Sequence, residues 1–134
     1  MLRIAIQKKG RLSDASMSLL KRCDIQINNG GKLNAKATNF PLEILYLRDD
    51  DIPECIADGV ADIGIVGENE CLEKDRNITK IEPLGFAKCR MSIAVPKSVE
   101  YSSLHSLSGK KIATSYPKIL RSFLNEKNIQ TDIH

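Results

Sequence analysis

Tryptophan is missing from this sequence, and its aromatic residues come to three Phe and three Tyr. So few flat side chains leave little for nucleic-acid bases to stack on. Charge of one sign is scarce too: 20 Lys and Arg against 17 Asp and Glu leave a net +3, not the dense basic footprint of a nucleic-acid module. No nucleic-acid partner is expected. The longest apolar runs are four to five residues, as in Ile44-Leu45-Tyr46-Leu47, whereas a membrane span needs about 20, so no membrane partner is expected either. The opening Met1–Ile6 turns polar at Gln7-Lys8-Lys9, too soon for the apolar region of a secretory signal. A soluble, cytoplasmic protein is the expectation. With 8 Gly and 5 Pro the chain is no collagen-like or turn-biased polymer. Cys23, Cys55, Cys71 and Cys89 form no C-x-x-C pair, and His105 and His134 are the only histidines, so a zinc site has no spacing to build on. The cysteines sit at apolar-patterned positions and read as small core or boundary residues. What the chain does have is 42% hydrophobic residues over 134, enough for a core without staples and too much for disorder.

Strand and helix patterns alternate along it. Leu2–Gln7 reads as a strand broken by Gly10. Ser13 is a candidate N-cap, with Leu12 and Met17 at staple positions, and Met17, Leu20 and Cys23 continue a helical stripe. Asn28-Asn29-Gly30-Gly31 marks a turn, and Glu43–Leu47 a strand buried on both faces. Asp51 and Glu54 have capping-box spacing ahead of a short helix over Ile52–Asp58, with Pro53 in its first turn and Gly59 at its end. Ala61–Val66 reads as a buried strand and Glu68–Lys74 as a short helix. Extended stretches are expected at Ile78–Leu84 and Cys89–Val95, then a polar stretch over Ser98–Ser108 with one helical turn. Lys111–Thr114 (strand), Lys118–Lys127 (helix, opened by Pro117) and Ile129–Ile133 (strand) complete the reading. Such βαβα order implies an α/β fold with a mostly parallel sheet. The composition shift at Pro96–Gly109 places residues 1–96 in a first lobe and 97–134 at the start of a second, cut at His134 inside an apparent strand.

Parallel α/β sheets bind ligands outside the carboxyl ends of their strands, so the residues following each strand are the candidates. Lys8-Lys9-Gly10-Arg11 is a basic loop feeding a helix amino terminus. It reads either as a phosphate site, where glycine lets a ligand approach the backbone, or as a solvated basic turn. Arg48 follows the second long strand and suits bidentate phosphate binding. The adjoining Asp49-Asp50-Asp51 can orient that arginine, hold Mg²⁺ or, at Asp51, cap a helix. Gly67-Glu68-Asn69 ends the third strand; it lacks a Walker loop and a dinucleotide fingerprint. Arg90 either points into the same cleft or caps a sheet edge, and Tyr116 either packs against a base or marks a helix boundary. No Ser-His-Asp or Cys-His arrangement emerges, so chemistry here depends on positioning and charge. Together these residues point to a cleft for a polyphosphate.

The stretches Arg3–Ser13, Arg48-Asp49-Asp50-Asp51-Ile52-Pro53, Ala61–Asn69, Cys89-Arg90 and Gly109–Pro117, in this order and spacing, resemble the amino-terminal half of the ATP phosphoribosyltransferase family. The triple-Asp and Ser-Tyr-Pro wording is nearer the long, histidine-regulated form. The resemblance implies two α/β lobes, like those of periplasmic solute-binding proteins, with mostly parallel sheets, the second lobe being incomplete here. It implies the first step of histidine biosynthesis: N1 of the adenine of ATP attacks C1 of phosphoribosyl pyrophosphate, pyrophosphate leaves, and Mg²⁺ assists. On this resemblance Lys9, Gly10, Arg11 and Arg48 would bind phosphates, with Arg11 and Arg48 carrying the catalysis. Gly67, Glu68, Asn69 and Arg90 would line the cleft, and Tyr116 would contact the base. A homo-oligomer is implied as well.

Two departures accompany it. Lys32 stands where relatives commonly carry Arg, keeping the charge without the bidentate fork. The family's loop for the 5-phosphate, and its histidine-binding domain, would lie beyond residue 134, so the 134-residue chain alone is expected to be inactive. The alternatives are a truncated non-catalytic homologue and a small-molecule binder of the solute-binding-protein type.

Overall fold

In a computed structural model, residues 1–28 and 33–134 are described. Asn29, Gly30, Gly31 and Lys32 fall outside them, and with them most of the expected turn and the Lys32 departure. The chain divides into two compact units, Met1–Lys88 and Cys89–His134.

The first unit is built on β1 (Leu2–Gln7), β2 (Ile27–Asn28), β3 (Asn34–Ala37), β4 (Leu42–Leu47) and β5 (Ile63–Gly64), in the sheet order β2-β3-β4-β1-β5. β1 lies parallel to β4 from Leu2↔Leu42 to Gln7↔Leu47, and parallel to β5 at Ile4↔Ile63 and Ala5↔Gly64. β2 and β3 add an antiparallel pair. Alternation along the strands sends side chains to opposite faces. Ile4, Ile6, Leu42 and Ile44 meet Leu20, Leu12 and Met17 of α1 (Arg11–Arg22) on one face. Ala5, Leu45 and Leu47 meet Ile52 and Ile56 of α2 (Ile52–Ala57) on the other. That is why the apolar run in β4 has no polar gap. Gly64 has to be glycine for α2 to sit this close: a Cβ there would lie 2.7 Å from Ile56 Cδ1 and 2.9 Å from Ile52 Cγ2. α3 (Glu68–Lys74) follows β5, with the bounds expected from sequence.

Several expectations are corrected in this unit. Ser13 is no cap. Gly10, at φ 106, turns the chain into a helix that begins at Arg11, and Ser13 is buried inside the first turn; such a φ is a position for glycine. The capping box at Asp51 and Glu54 does not form, because a 3₁₀ turn over Asp49–Asp51 runs straight into α2 and leaves Asp51 already helical. Gly59, at φ 76, does end α2. The strand expected over Ala61–Val66 pairs at Ile63–Gly64 alone. Ile78–Leu84 joins no ladder among the described residues, and Ile81 and Leu84 are exposed; apolar content makes a strand only where another backbone is available to pair. β3, Asn34-Ala35-Lys36-Ala37, was not expected. Its residues favour strands poorly, and pairing with β4 imposes the conformation.

The second unit holds β6 (Lys111–Ile112) and β7 (Asp132–Ile133), paired parallel, and α4 (Pro117–Glu126). Leu120, Leu124 and Ile129 form its core with Leu104, Ile112 and Ile133. One 3₁₀ turn, Leu104–Leu107, closed by a capping box between Ser103 and Ser106, occupies the polar stretch. Both strands are shorter than expected. Cys89–Val95 is exposed and joins no ladder among the described residues, so Arg90 does not begin a strand. Of the cysteines, Cys55 and Cys71 are half-buried as expected, whereas Cys23 and Cys89 are exposed.

Candidate functional site

In the first unit β1 is flanked by β4 and β5, all three parallel. Neighbouring strands lie about 4.8 Å apart, so the chain leaves the sheet at three adjacent points on one edge. The ladder continues into the loops: Lys8 N donates to Leu47 O at 2.7 Å, and Ile65 N to Ala5 O at 3.0 Å. Lys8-Lys9-Gly10-Arg11, Arg48 and Gly67-Glu68-Asn69 therefore emerge side by side. The geometry brings together seven of the nine residues singled out from sequence: Lys9, Gly10, Arg11, Arg48, Gly67, Glu68 and Asn69. The other two, Arg90 and Tyr116, belong to the second unit. There Arg90 is exposed, and Tyr116 precedes α4 with its backbone N–H donating to Thr114 Oγ1 at 2.9 Å.

Lys8, Lys9 and Arg11 are exposed and form no ion pair among the described residues. They surround the amino terminus of α1, twelve residues long, where Gly10 offers no side chain to the first backbone N–H groups. Open amides, a helix dipole and three unpaired cations favour an anion at this point; the acid in the first turn is Asp14. Arg48 is also exposed and is oriented by Asp50, with Nε 3.4 Å from Oδ1 and Nη2 3.5 Å from Oδ2. Asp50 Oδ1 is buried and has no hydrogen bond, so this longer contact to Arg48 is its compensation. Of the three readings of the aspartate run, orienting the arginine is the one realised, and by Asp50.

Glu68, at the start of α3, accepts from Lys80 Nζ at 2.7 Å. That hydrogen bond, and the lysine's charge, hold the Glu68 carboxyl below its ordinary range and raise Lys80. Lys80 was not singled out from sequence: it lies in a stretch read as a strand, and nothing in its spacing points to Glu68. Burial raises the Cys71 thiol, and burial followed by Asp51, Glu54 and Asp58 raises that of Cys55. Both changes oppose thiolate formation.

No group of three or more His, Cys, Asp or Glu among the described residues can hold a metal ion. Asp49 Oδ1 is engaged by Asp50 N at 2.9 Å, and Asp50 by Arg48. The aspartate run therefore does not fit a resident Mg²⁺. No helix among the described residues is long and apolar enough to cross a membrane.

A family model described as ATP phosphoribosyltransferase matches residues 48–134. Among curated relatives, the ATP phosphoribosyltransferase of Cytophaga hutchinsonii is 56% identical over 99% of this chain and 47% of its own length. That of Parabacteroides distasonis is 56% identical over 100% of this chain and 48% of its own. The chain thus spans about half the length of the curated relatives it matches. A solved structure of the ATP phosphoribosyl transferase (HisG:HisZ) complex from Thermotoga maritima aligns at TM-score 0.70 with 24% identity, over 100% of this chain and 63% of that one. The likeness establishes the fold.

Proposed function

The chain belongs to the ATP phosphoribosyltransferase family, and from that membership we propose that its protein condenses ATP with phosphoribosyl pyrophosphate. The products are phosphoribosyl-ATP and pyrophosphate, the first step of histidine biosynthesis. Adenine N1 attacks C1 of the ribose, and the C1–O bond to pyrophosphate breaks with its electron pair leaving on the pyrophosphate. Positive charge develops on the sugar and negative charge on the leaving group. Alignment of the two substrates and cationic contacts to phosphate supply the catalysis, without a protein nucleophile.

The observation that carries this reading is the row of cations at the carboxyl edge of β1, β4 and β5. Lys9 and Arg11 stand unpaired beside the bare amino terminus of α1, and Arg48 is steadied by Asp50. In this reading Lys9, Gly10, Arg11 and Arg48 bind phosphate, Arg11 and Arg48 being the catalytic pair. Gly67, Glu68, Asn69 and Arg90 line the substrate site, and Tyr116 contacts the base. Mg²⁺ enters with the phosphates of the substrates. Residues 1–96 form the first lobe of the catalytic region and 97–134 part of a second. The protein works in the cytoplasm as a homo-oligomer.

The test is to incubate the protein encoded by the natural gene with ATP, phosphoribosyl pyrophosphate and Mg²⁺, following the absorbance of phosphoribosyl-ATP and the release of pyrophosphate. Stoichiometric formation of both is expected. ATP binding with no product from either substrate order would reject the reading in favour of a binder.

A further inference from the structure

The carboxyl edge that gathers Lys8, Lys9 and Arg11 also carries two acids whose carboxylates are in ion pairs. Asp50 is held by Arg48, a residue of the site itself. Glu68 is held by Lys80, which reaches it across twelve positions of sequence from the segment following α3. This second pair is exposed, with 64% of the Lys80 and 67% of the Glu68 side chain open to solvent, a location where an ion pair contributes little to stability. Its position is the notable property. Glu68 is the first residue of α3, beyond the carboxyl end of β5, so an unpaired carboxylate there would add negative charge to the edge that carries the cations.

We propose that Lys80 is a positioning residue for the anion site: it pins and neutralises the Glu68 carboxylate, so that phosphate groups enter without meeting an unpaired negative charge. The proposal rests on the reading of this edge as a phosphate site. Both partners are ionised at neutral pH, since the contact lowers the carboxyl and raises the ammonium. Repulsion between like charges gathered at one edge is strong enough to show in affinity, even near the surface. Lys80 contributes by holding Glu68; a direct contact of its own with substrate is not part of the inference.

The test uses the protein from its natural gene and four variants: Lys80→Met, Lys80→Arg, Glu68→Gln and the double variant Lys80→Met with Glu68→Gln. Affinity for inorganic tripolyphosphate and for ATP is measured by calorimetry, which needs no turnover. Lys80→Met is expected to weaken both about three- to tenfold, with the melting temperature unchanged. Lys80→Arg should restore wild-type affinity, and the double variant should bind as Glu68→Gln alone does. Where turnover is present, the same loss should appear in KM with kcat nearly constant. Unchanged affinity in Lys80→Met overturns the proposal, as does a loss that Glu68→Gln does not relieve. The latter would mean that Lys80 itself meets the phosphate. A wild-type protein that binds tripolyphosphate but forms no phosphoribosyl-ATP would reject the proposed reaction while leaving this comparison of affinities fully readable.

Discussion

At the amino end of β1, Arg3 is tied down twice: its backbone N–H donates to Asp62 Oδ2 at 2.8 Å and its guanidinium to Gly59 O at 2.9 Å. At the other end of the same strand, Lys8 and Lys9 meet no acid among the described residues. The contrast extends beyond one strand. Arg76 grips Asp58, next to Gly59, at 2.8 Å and Glu54 at 3.3 Å, so the cations near the amino end are engaged in fastening α2 and the return into β5. At the carboxyl end, Lys8, Lys9 and Arg11 remain open beside a helix terminus that also lacks a side-chain cap. One end uses its positive charge to hold the fold; at the other, beside the paired Arg48 and Lys80, Lys8, Lys9 and Arg11 present theirs to solvent, where an anion can take it. Net charge is blind to this difference, since both ends add to the same +3.

The comparison can be sharpened by substitutions that separate stability from binding. The largest effect is expected below both ends, in the shared core. Ile44→Ala removes a side chain with no exposure and should cost about 2–5 kcal/mol in urea unfolding. Arg3→Ala should cost about 1 kcal/mol, from a half-exposed ion pair and one hydrogen bond, and should leave phosphate affinity unchanged. A loss of affinity in that variant would break the division between the two ends. The smallest effect concerns Glu68. Its carboxyl is held below the ordinary value of 4.5 in the folded protein, so its contribution is present above that value and fades as pH falls through the lowered one. Stability measured across acid pH should therefore drop slightly more for the wild type than for Glu68→Gln, and equal slopes would show the pair to be energetically silent.

Much of the first unit was legible from sequence because its signals are local. The run Ile44-Leu45-Tyr46-Leu47 announces a strand covered on both faces, and Gly67 ahead of Glu68 marks where α3 starts. What escaped was set by partners distant in sequence. Asn34-Ala35-Lys36-Ala37 becomes a strand because β4 offers a free edge, and Ile78–Leu84 fails to become one because no described backbone pairs with it. Capping chemistry misleads at two positions for one reason: Ser13 and Asp51 have the right side chains, but Gly10 and the Asp49–Asp51 turn start the helical winding before them. The site followed the same rule. Residues just past strand ends were found because strand order alone makes them neighbours. Lys80 was not, since its link to Glu68 depends on how a non-helical, unpaired segment returns over α3.

The most direct test is a paired affinity measurement on the protein from its natural gene, titrating ATP into wild type, Arg11→Ala and Arg3→Ala. Arg11→Ala is expected to lose about tenfold or more in affinity, equivalent to about 1.4 kcal/mol or more, with an unchanged melting temperature. Arg3→Ala should bind as wild type does while melting earlier. If Arg11→Ala bound ATP normally and instead lost its fold, the carboxyl edge would be part of the scaffold, and the assignment of its cations to phosphate would be wrong.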